Sequence, residues 1–196
     1  MKSLLRLFYC FTVAIDVTCT IAADNYVMGV KLIHDNGFVE DLTINYEGGA
    51  EWKDKKSVAF EQSGVDEQGA LVIHAEDGKP NQDHCYLAGL VVHCTASDEE
   101  SQWNNFGTNT DDWYSEDGNK LCADTNAAFL TSNVDWISQL IVNGAKNIWV
   151  EGHQVVNLVG TPWREFPLVT GKTFSVSNQI KLKIGFTSYQ RYRSHK

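Results

Sequence analysis

Two His-Cys dipeptides, nine residues apart, are the residues most suggestive of a metal site. His84-Cys85 and His93-Cys94 flank an apolar run in DHCYLAGLVVHC. Structural zinc sites space their ligands by a few residues within each pair and direct all of them to one point. Adjacent side chains of a strand point to opposite faces, so each dipeptide offers only one ligand to a face. The spacing therefore favours a buried strand over a zinc site.

The first 23 residues have the layout of a secretory signal peptide. Lys2 and Arg6 precede an apolar stretch that ends in small residues, which predicts cleavage after Ala22 or Ala23. Asp16 interrupts the apolar stretch, and a charge there also counts against a membrane anchor. The sequence thus predicts an extracellular protein without stable membrane insertion.

Export would leave three cysteines in an oxidising compartment, where at least one pair is expected to form a disulfide. On one straight strand Cys85 and Cys94 would lie about 30 Å apart. Disulfides require α-carbons within about 7 Å. The preferred pair is therefore Cys94–Cys122, with Cys85–Cys122 as the alternative. The preferred bridge would attach the intervening acidic segment to the sheet.

An acidic, tryptophan-rich segment between Asp98 and Asp124 is the best candidate for a binding site. Sugars bind by placing apolar faces on aromatic rings while amides and carboxylates accept and donate hydrogen bonds. Trp103 and Trp113 are flanked by polar residues, so we expect both rings to be exposed. The predicted ligand-binding residues are Trp103, Asn104, Asn105, Asp112, Trp113 and Tyr114.

The same segment offers oxygen ligands for calcium. Calcium takes several oxygen ligands at loose geometry. The spacing does not match the helix–loop–helix calcium site, so a solvated loop is favoured. No cofactor is therefore predicted, with calcium as the alternative. The calcium candidates are Asp111, Asp112, Asp117 and Asn119.

Signatures of common enzyme families are missing from the sequence. It has no G-x-S-x-G elbow, H-E-x-x-H helix, phosphate-binding glycine loop or dinucleotide fingerprint. Glu151 and His153 alternate on one predicted strand face, where they would serve acid–base catalysis with Asp135 or Glu165 as partner. A surface salt bridge explains the pair equally well. The sequence leans away from an enzyme; if it is one, a glycan-cleaving hydrolase is expected.

Strand signals dominate the chain. Asn36-Gly37 predicts a tight hairpin between two extended runs, and period-2 alternation follows it. SNVDWISQLIVNG predicts at most one short helix near 132–143, capped by Ser132 or Asn133 and ended by Gly144. Further strands are predicted at SVAFEQ, ALVIHA, CYLAGLVVHC, NIWVEG, QVVNLVG, TFSVS and QIKLKIGF.

These signals predict an all-β, mostly antiparallel fold: a β-sandwich or jelly roll, with a β-barrel as the alternative. The predicted organisation is a signal peptide (1–23), a single domain (24–187) and a flexible basic tail (188–196).

Charge narrows the range of partners. The net charge is −9, and removing Lys2, Arg6 and Asp16 leaves 14 basic and 24 acidic side chains, or −10. Such an excess of acid disfavours nucleic acid. We expect a secreted, lectin-like binding protein for an extracellular glycan or cell-surface glycoprotein. A secreted effector or toxin-like protein that acts through protein contacts is the alternative, and a small glycan hydrolase is the second. The oligomeric state stays open.

Overall fold

The computed structural model describes residues 14–48, 52–63, 68–78, 88–123, 134–163 and 166. Together they form one helix, α1 (Asp135–Val142), and twelve strands. The strands are β1 (Ala14–Asp24), β2 (Tyr26–His34), β3 (Val39–Leu42), β4 (Asn45–Glu47), β5 (Lys55–Ser63), β6 (Gly69–Glu76), β7 (Gly89–Ala96), β8 (Phe106–Gly107), β9 (Trp113–Ser115), β10 (Leu121–Ala123), β11 (Ile148–Val150) and β12 (Val155–Gly160).

Antiparallel pairing joins these strands into two open sheets. Sheet A has the order β10-β11-β7-β1-β5-β4, and β8 also pairs with β7. Sheet B has the order β3-β2-β6-β12-β9. The inner faces of the two sheets share one apolar core, because alternate side chains of each strand point inward. The predicted all-β sandwich is confirmed, and the barrel alternative is wrong.

The predicted Asn-Gly hairpin is confirmed between β2 and β3. Gly37 adopts a φ of 81°, which a residue without a Cβ reaches at low cost. The Phe38 amide donates to the Asn36 side-chain oxygen at 2.8 Å. The alternating run after the turn is divided between two strands, β3 and β4. It leaves sheet B at Leu42, and Tyr46 belongs to β4 in sheet A.

Strand β1 lies in the middle of sheet A, between β5 and β7. Ile15 and Val17 are buried while Asp16 is exposed, so the charge inside the apolar stretch faces solvent on a strand. The predicted cleavage after Ala22 or Ala23 does not fit this fold, because it would remove the strand that joins β5 to β7. A helix-forming leader and a buried strand are both rich in apolar residues, and composition alone does not distinguish them.

The core contains a disulfide between Cys19 in β1 and Cys94 in β7, which lie directly opposite each other. Both cysteines are fully buried. The predicted Cys94–Cys122 bridge is therefore wrong, because the partner of Cys94 lies in the segment that was predicted to be cleaved. Cys122 is itself disulfide-bonded, to a residue outside the described part of the chain. Cys85, its partner in the alternative pairing, also lies outside that part.

The predicted helix is confirmed as α1, which covers part of the outer face of sheet A. Ile137 and Leu140 pack against Ala22 and Val91 of β1 and β7. Gly144 follows the helix with a φ of 99°, a conformation common after helix ends. No side chain caps the first turn at Val134.

Several predicted features lie outside the described residues. They are the caps Ser132 and Asn133, Glu165, the strands TFSVS and QIKLKIGF, and the tail 188–196. Among the residues that are described, no helix has the length and apolar character needed to cross a membrane.

Candidate functional site

Trp103 is fully buried, so the prediction that its ring is exposed is wrong. Its indole makes edge-on contacts with Phe60, Phe106 and Trp163, at centroid distances of 5.1, 5.4 and 5.6 Å. Its Nε1–H donates to the side-chain oxygen of Gln62. An aromatic ring that is packed on all sides and has its one donor satisfied belongs to the core.

Trp113 is also buried, with 2 % of its surface exposed, so its predicted exposure is wrong as well. The ring stacks on Phe106 at 5.7 Å, and its Nε1–H donates to the Gly107 carbonyl at 3.2 Å. A Cβ at Gly160 would lie only 2.2 Å from the Trp113 indole. The ring therefore occupies space that the neighbouring strand leaves free.

The polar residues around these tryptophans stabilise turns. Asn104 Nδ2 donates to the Glu99 carbonyl at 3.3 Å, and Asn105 holds a φ of 59°, a conformation that Asn tolerates better than most residues. Asp112 accepts from Asn109 Nδ2 at 2.9 Å. Two of the predicted ligand-binding residues, Asn104 and Asp112, thus make hydrogen bonds within their own segment, and Asn105 occupies a turn conformation.

The predicted segment nevertheless contributes to a cleft of about 710 Å³. The cleft lies beside β9, at one end of the strand order of sheet B, and β10, at one end of the strand order of sheet A. Of the predicted binding residues, Trp113 and Tyr114 line it. The lining residues are Thr110, Trp113, Tyr114, Asn119, Lys120, Leu121, Cys122, Ala123 and Glu151.

Tyr114 provides the most accessible aromatic ring of the cleft, since it is half-buried whereas Trp113 is buried. Burial raises the pKa of the Tyr114 phenol, and the nearby Glu116 carboxylate raises it further. The hydroxyl therefore stays protonated at neutral pH, where it both donates and accepts a hydrogen bond.

Glu151 and His153 do not alternate on a strand face as predicted, because β11 ends at Val150 and the chain turns there. Glu151 lines the cleft. His153 instead lies beside the loop between β9 and β10. Its Nδ1 is 4.0 Å from an Asp117 carboxylate oxygen, and its Nε2 is 3.1 Å from Asn119 Nδ2. Glu151 and His153 therefore have different surroundings and do not form the predicted acid–base pair. Asp135, its other predicted partner, lies exposed in the first turn of α1.

The calcium candidates belong to two separate turns. Asp111 and Asp112 donate their amides to the Asn109 side-chain oxygen, at 2.8 and 2.7 Å. Asn119 Nδ2 donates to Asp117 at 2.7 Å. Burial alone would raise the pKa of Asp117, but hydrogen bonds from Ser115 and Asn119 and the charge of His153 outweigh it and lower that pKa. The described residues contain no cluster of three His, Cys, Asp or Glu side chains that would hold a metal.

His93 of the doubled His-Cys motif is buried on the face of β7 opposite to Cys94, as expected for neighbours in a strand. Its Nε2 has no hydrogen-bond partner in the described part of the chain. Burial lowers the pKa of His93. The imidazole is therefore neutral at pH 7, as expected for a histidine that packs inside the protein.

A second group of polar side chains crosses the outer face of sheet B, the face that points away from the core. His74 in β6 pairs with Asn157 in β12, and Glu116, directly after β9, donates its amide to the Asn157 carbonyl. Two hydrogen bonds of 2.6 Å join them: His74 Nδ1 to Asn157 Oδ1, and Asn157 Nδ2 to a Glu116 carboxylate oxygen. We call this group the His74 row.

Sequence reasoning did not identify the His74 row as a site. The available signal was a single polar residue inside each of two apolar runs, His74 in ALVIHA and Asn157 in QVVNLVG. Such a residue on the core face would be costly, so each one points to an open sheet face. Their proximity depends on strand order, which the sequence does not state.

Comparison of the chain with family models, with curated proteins and with solved structures gives no match.

Proposed function

We propose that this β-sandwich is an extracellular binding protein whose ligand, a glycan, occupies the cleft beside β9 and β10. The observation that carries the proposal is the composition of the cleft. One half-buried aromatic ring, Tyr114, lies with amide, ammonium and carboxylate groups from Asn119, Lys120 and Glu151. This combination suits a ligand with an apolar face and several hydroxyls.

The size of the cleft agrees with a small saccharide. Its volume of about 710 Å³ falls within the usual range of ligand sites. Lys120 carries a positive charge and Glu151 a negative one, so the cleft favours neither an anionic nor a cationic ligand. Hydroxyl groups both donate and accept, and they satisfy an ammonium and a carboxylate alike.

The number of carboxylates in the cleft favours glycan binding over glycan cleavage. Glycoside hydrolysis in most families requires a pair of carboxylic acids across the scissile bond. Among the described residues that line the cleft, Glu151 is the one acid. A hydrolase would therefore need a second acid from elsewhere.

Support for an extracellular location comes from the buried disulfide between Cys19 and Cys94. Disulfides persist in oxidising compartments and are rare in the cytosol. The exported form that fits the fold retains β1, since this strand contains Cys19.

A glycan array with wild type and three variants tests the proposal. Tyr114→Ala removes the ring and Glu151→Gln removes the carboxylate of the cleft. Tyr46→Ala is the matched control, because Tyr46 is 45 % exposed on β4, at the far end of sheet A from β10. We expect the first two variants to lose at least about tenfold in affinity and the control to keep wild-type binding.

Thermal unfolding of each variant separates lost binding from lost folding. Silence of the folded wild type on the array, or wild-type binding by both cleft variants, would refute the glycan proposal. Trp113→Ala is unsuitable as a binding test, because Trp113 is part of the core.

A further inference from the structure

The hydrogen bonds of the His74 row place a hydrogen on Nδ1 of its imidazole. A carboxylate only accepts, so the amide group of Asn157 must direct Nδ2 to Glu116 and Oδ1 to His74. Oδ1 in turn requires a hydrogen on Nδ1. The neutral imidazole therefore carries its lone pair on Nε2. Within the described residues, Nε2 makes no hydrogen bond of its own.

Open space lies beside this imidazole. Gly29 of β2 is the residue directly opposite His74, and a Cβ built there would meet no atom of the described residues within 4 Å. Any larger residue at this position would cover the sheet next to the ring. The glycine thus leaves a gap one residue wide between β2 and the His74 row.

Glu76, two residues after His74 on β6, places a carboxylate between two apolar side chains. Glu76 lies opposite Tyr26 of β2 on one side and Val155 of β12 on the other. Tyr26 is 43 % and Val155 46 % exposed. Met28, the extra residue of a bulge in β2, is 57 % exposed. Tyr26 and Met28 lie on the same strand as Gly29, beside the gap.

The charges around the gap select the ligand. Glu76 is an acid, and Nε2 of His74 is an acceptor. The nearest cation on this face of β2, Lys31, lies 2.5 Å from Asp41. A ligand here must therefore donate hydrogen bonds and carry positive charge, and an alkyl stem would contact Tyr26 and Met28.

From this arrangement we propose that the gap at Gly29 is a second binding site, which takes a primary ammonium group on an alkyl stem. The ammonium donates to His74 Nε2 and to the Glu76 carboxylate, and the stem lies on the exposed apolar side chains. The site is separate from the cleft and does not depend on the glycan proposal.

Titration of the ¹⁵N-labelled protein with butylammonium chloride tests the site directly. We expect a dissociation constant of about 1 mM and amide shifts at Tyr26, Gly29, His74 and Asn157. Butanol has the same stem without the charge, and it should cause no comparable shifts. Absence of shifts with butylammonium, or equal shifts with butanol, would overturn the proposal.

Variants assign the role of each group. His74→Leu and Glu76→Gln should each weaken butylammonium binding by about tenfold, whereas His74→Gln, which keeps an acceptor, should weaken it less. Gly29→Leu should abolish binding by filling the gap without loss of the fold. Glu40→Gln is the charge-matched control, since Glu40 lies on β3 beside His34 and should not affect binding.

The tautomer of His74 gives a readout that does not require a ligand. Long-range ¹H–¹⁵N spectra should show the Nδ1–H form in wild type, and Asn157→Leu should lose that preference. N-acetyl-lysine methylamide as a second probe identifies the source of the ammonium. Tighter binding than butylammonium would indicate a lysine side chain of a partner, and weaker binding would indicate a free amine. An Nε2–H tautomer in wild type would contradict the proposed acceptor.

Discussion

The acidic segment between Asp98 and Asp124 and the outer face of sheet B contain the same kinds of residue in opposite arrangements. Both combine aromatic rings with acids and amides. In the acidic segment the rings of Trp103 and Trp113 are buried, and the polar side chains close turns. On the outer face Tyr26 is exposed, and the polar side chains bond to one another across strands.

This difference shows that composition alone does not reveal a binding surface. Asp, Asn and Ser are favoured in turns because their side chains bond to the nearby backbone. A turn rich in these residues can direct its aromatic ring into the core. On a regular strand, by contrast, the pleat fixes which side chains face outward. Four predictions test this difference between the two regions and the core that underlies it. The first has the largest effect on stability, and the last has the smallest.

Deleting residues 1–23 should have the largest effect. The deletion removes β1 from the middle of sheet A and removes Cys19, so we expect loss of cooperative unfolding by circular dichroism. Deleting residues 1–13 leaves β1 intact and should preserve it. Mass spectrometry of the exported protein should find the peptide that contains Cys19. A folded protein lacking residues 1–23 would refute the central position of β1.

Substitution of one aromatic residue in each region compares them directly. Trp103→Ala should lower the free energy of unfolding by about 3–5 kcal/mol, because it leaves a cavity in the core. Tyr26→Ala should cost less than about 1 kcal/mol, since Tyr26 is partly exposed. Urea unfolding measures both. Equal costs would mean that the two regions are not packed as described.

Replacing both cysteines of the core disulfide should cost about 2–5 kcal/mol. The Cys19→Ala/Cys94→Ala variant frees two strands whose cysteines are 75 residues apart in sequence, which increases the freedom of the unfolded chain. Urea unfolding again gives the value. A non-reducing peptide map of wild type provides the control, and a map without the Cys19–Cys94 peptide would contradict the pairing.

Lowering the pH should have the smallest effect on stability, through His93. Burial lowers the pKa of His93 in the folded state, so the unfolded chain takes up the proton first as the pH falls. Stability is therefore retained above the ordinary histidine pKa, about 6.5, and decreases below it. His93→Leu should reduce the decrease measured between about pH 8 and pH 5. An unchanged profile in His93→Leu would contradict a neutral, buried His93.

Much of the fold could be predicted from the sequence. The Asn36-Gly37 turn and the Gly144 helix end are local signals, and each predicted its element correctly. Predicted strands at SVAFEQ, ALVIHA and QVVNLVG are confirmed as β5, β6 and β12. The predicted signal peptide does not fit the fold, since residues 14–24 form β1. The sequence alone could not show this, because an apolar run is typical both of a signal peptide and of a buried strand. The disulfide prediction was wrong for the same reason, since it left Cys19 out of the mature chain.

The candidate sites were less predictable. The sequence indicated the segment that lines the cleft, yet of the predicted binding residues only Trp113 and Tyr114 lie there. The His74 row joins residues that are 41 and 83 positions apart in the chain, and no local pattern relates them.

The sequence by itself determined that the chain forms strands, where a tight turn and a helix occur, and that the net charge is negative. These properties depend on neighbouring residues or on composition. Tertiary structure alone decided which strands are adjacent, which tryptophans are buried, and which cysteine bonds to Cys94. Those choices depend on contacts between distant parts of the chain, and the free energy of such contacts comes from burial that exists only once the two sheets have packed.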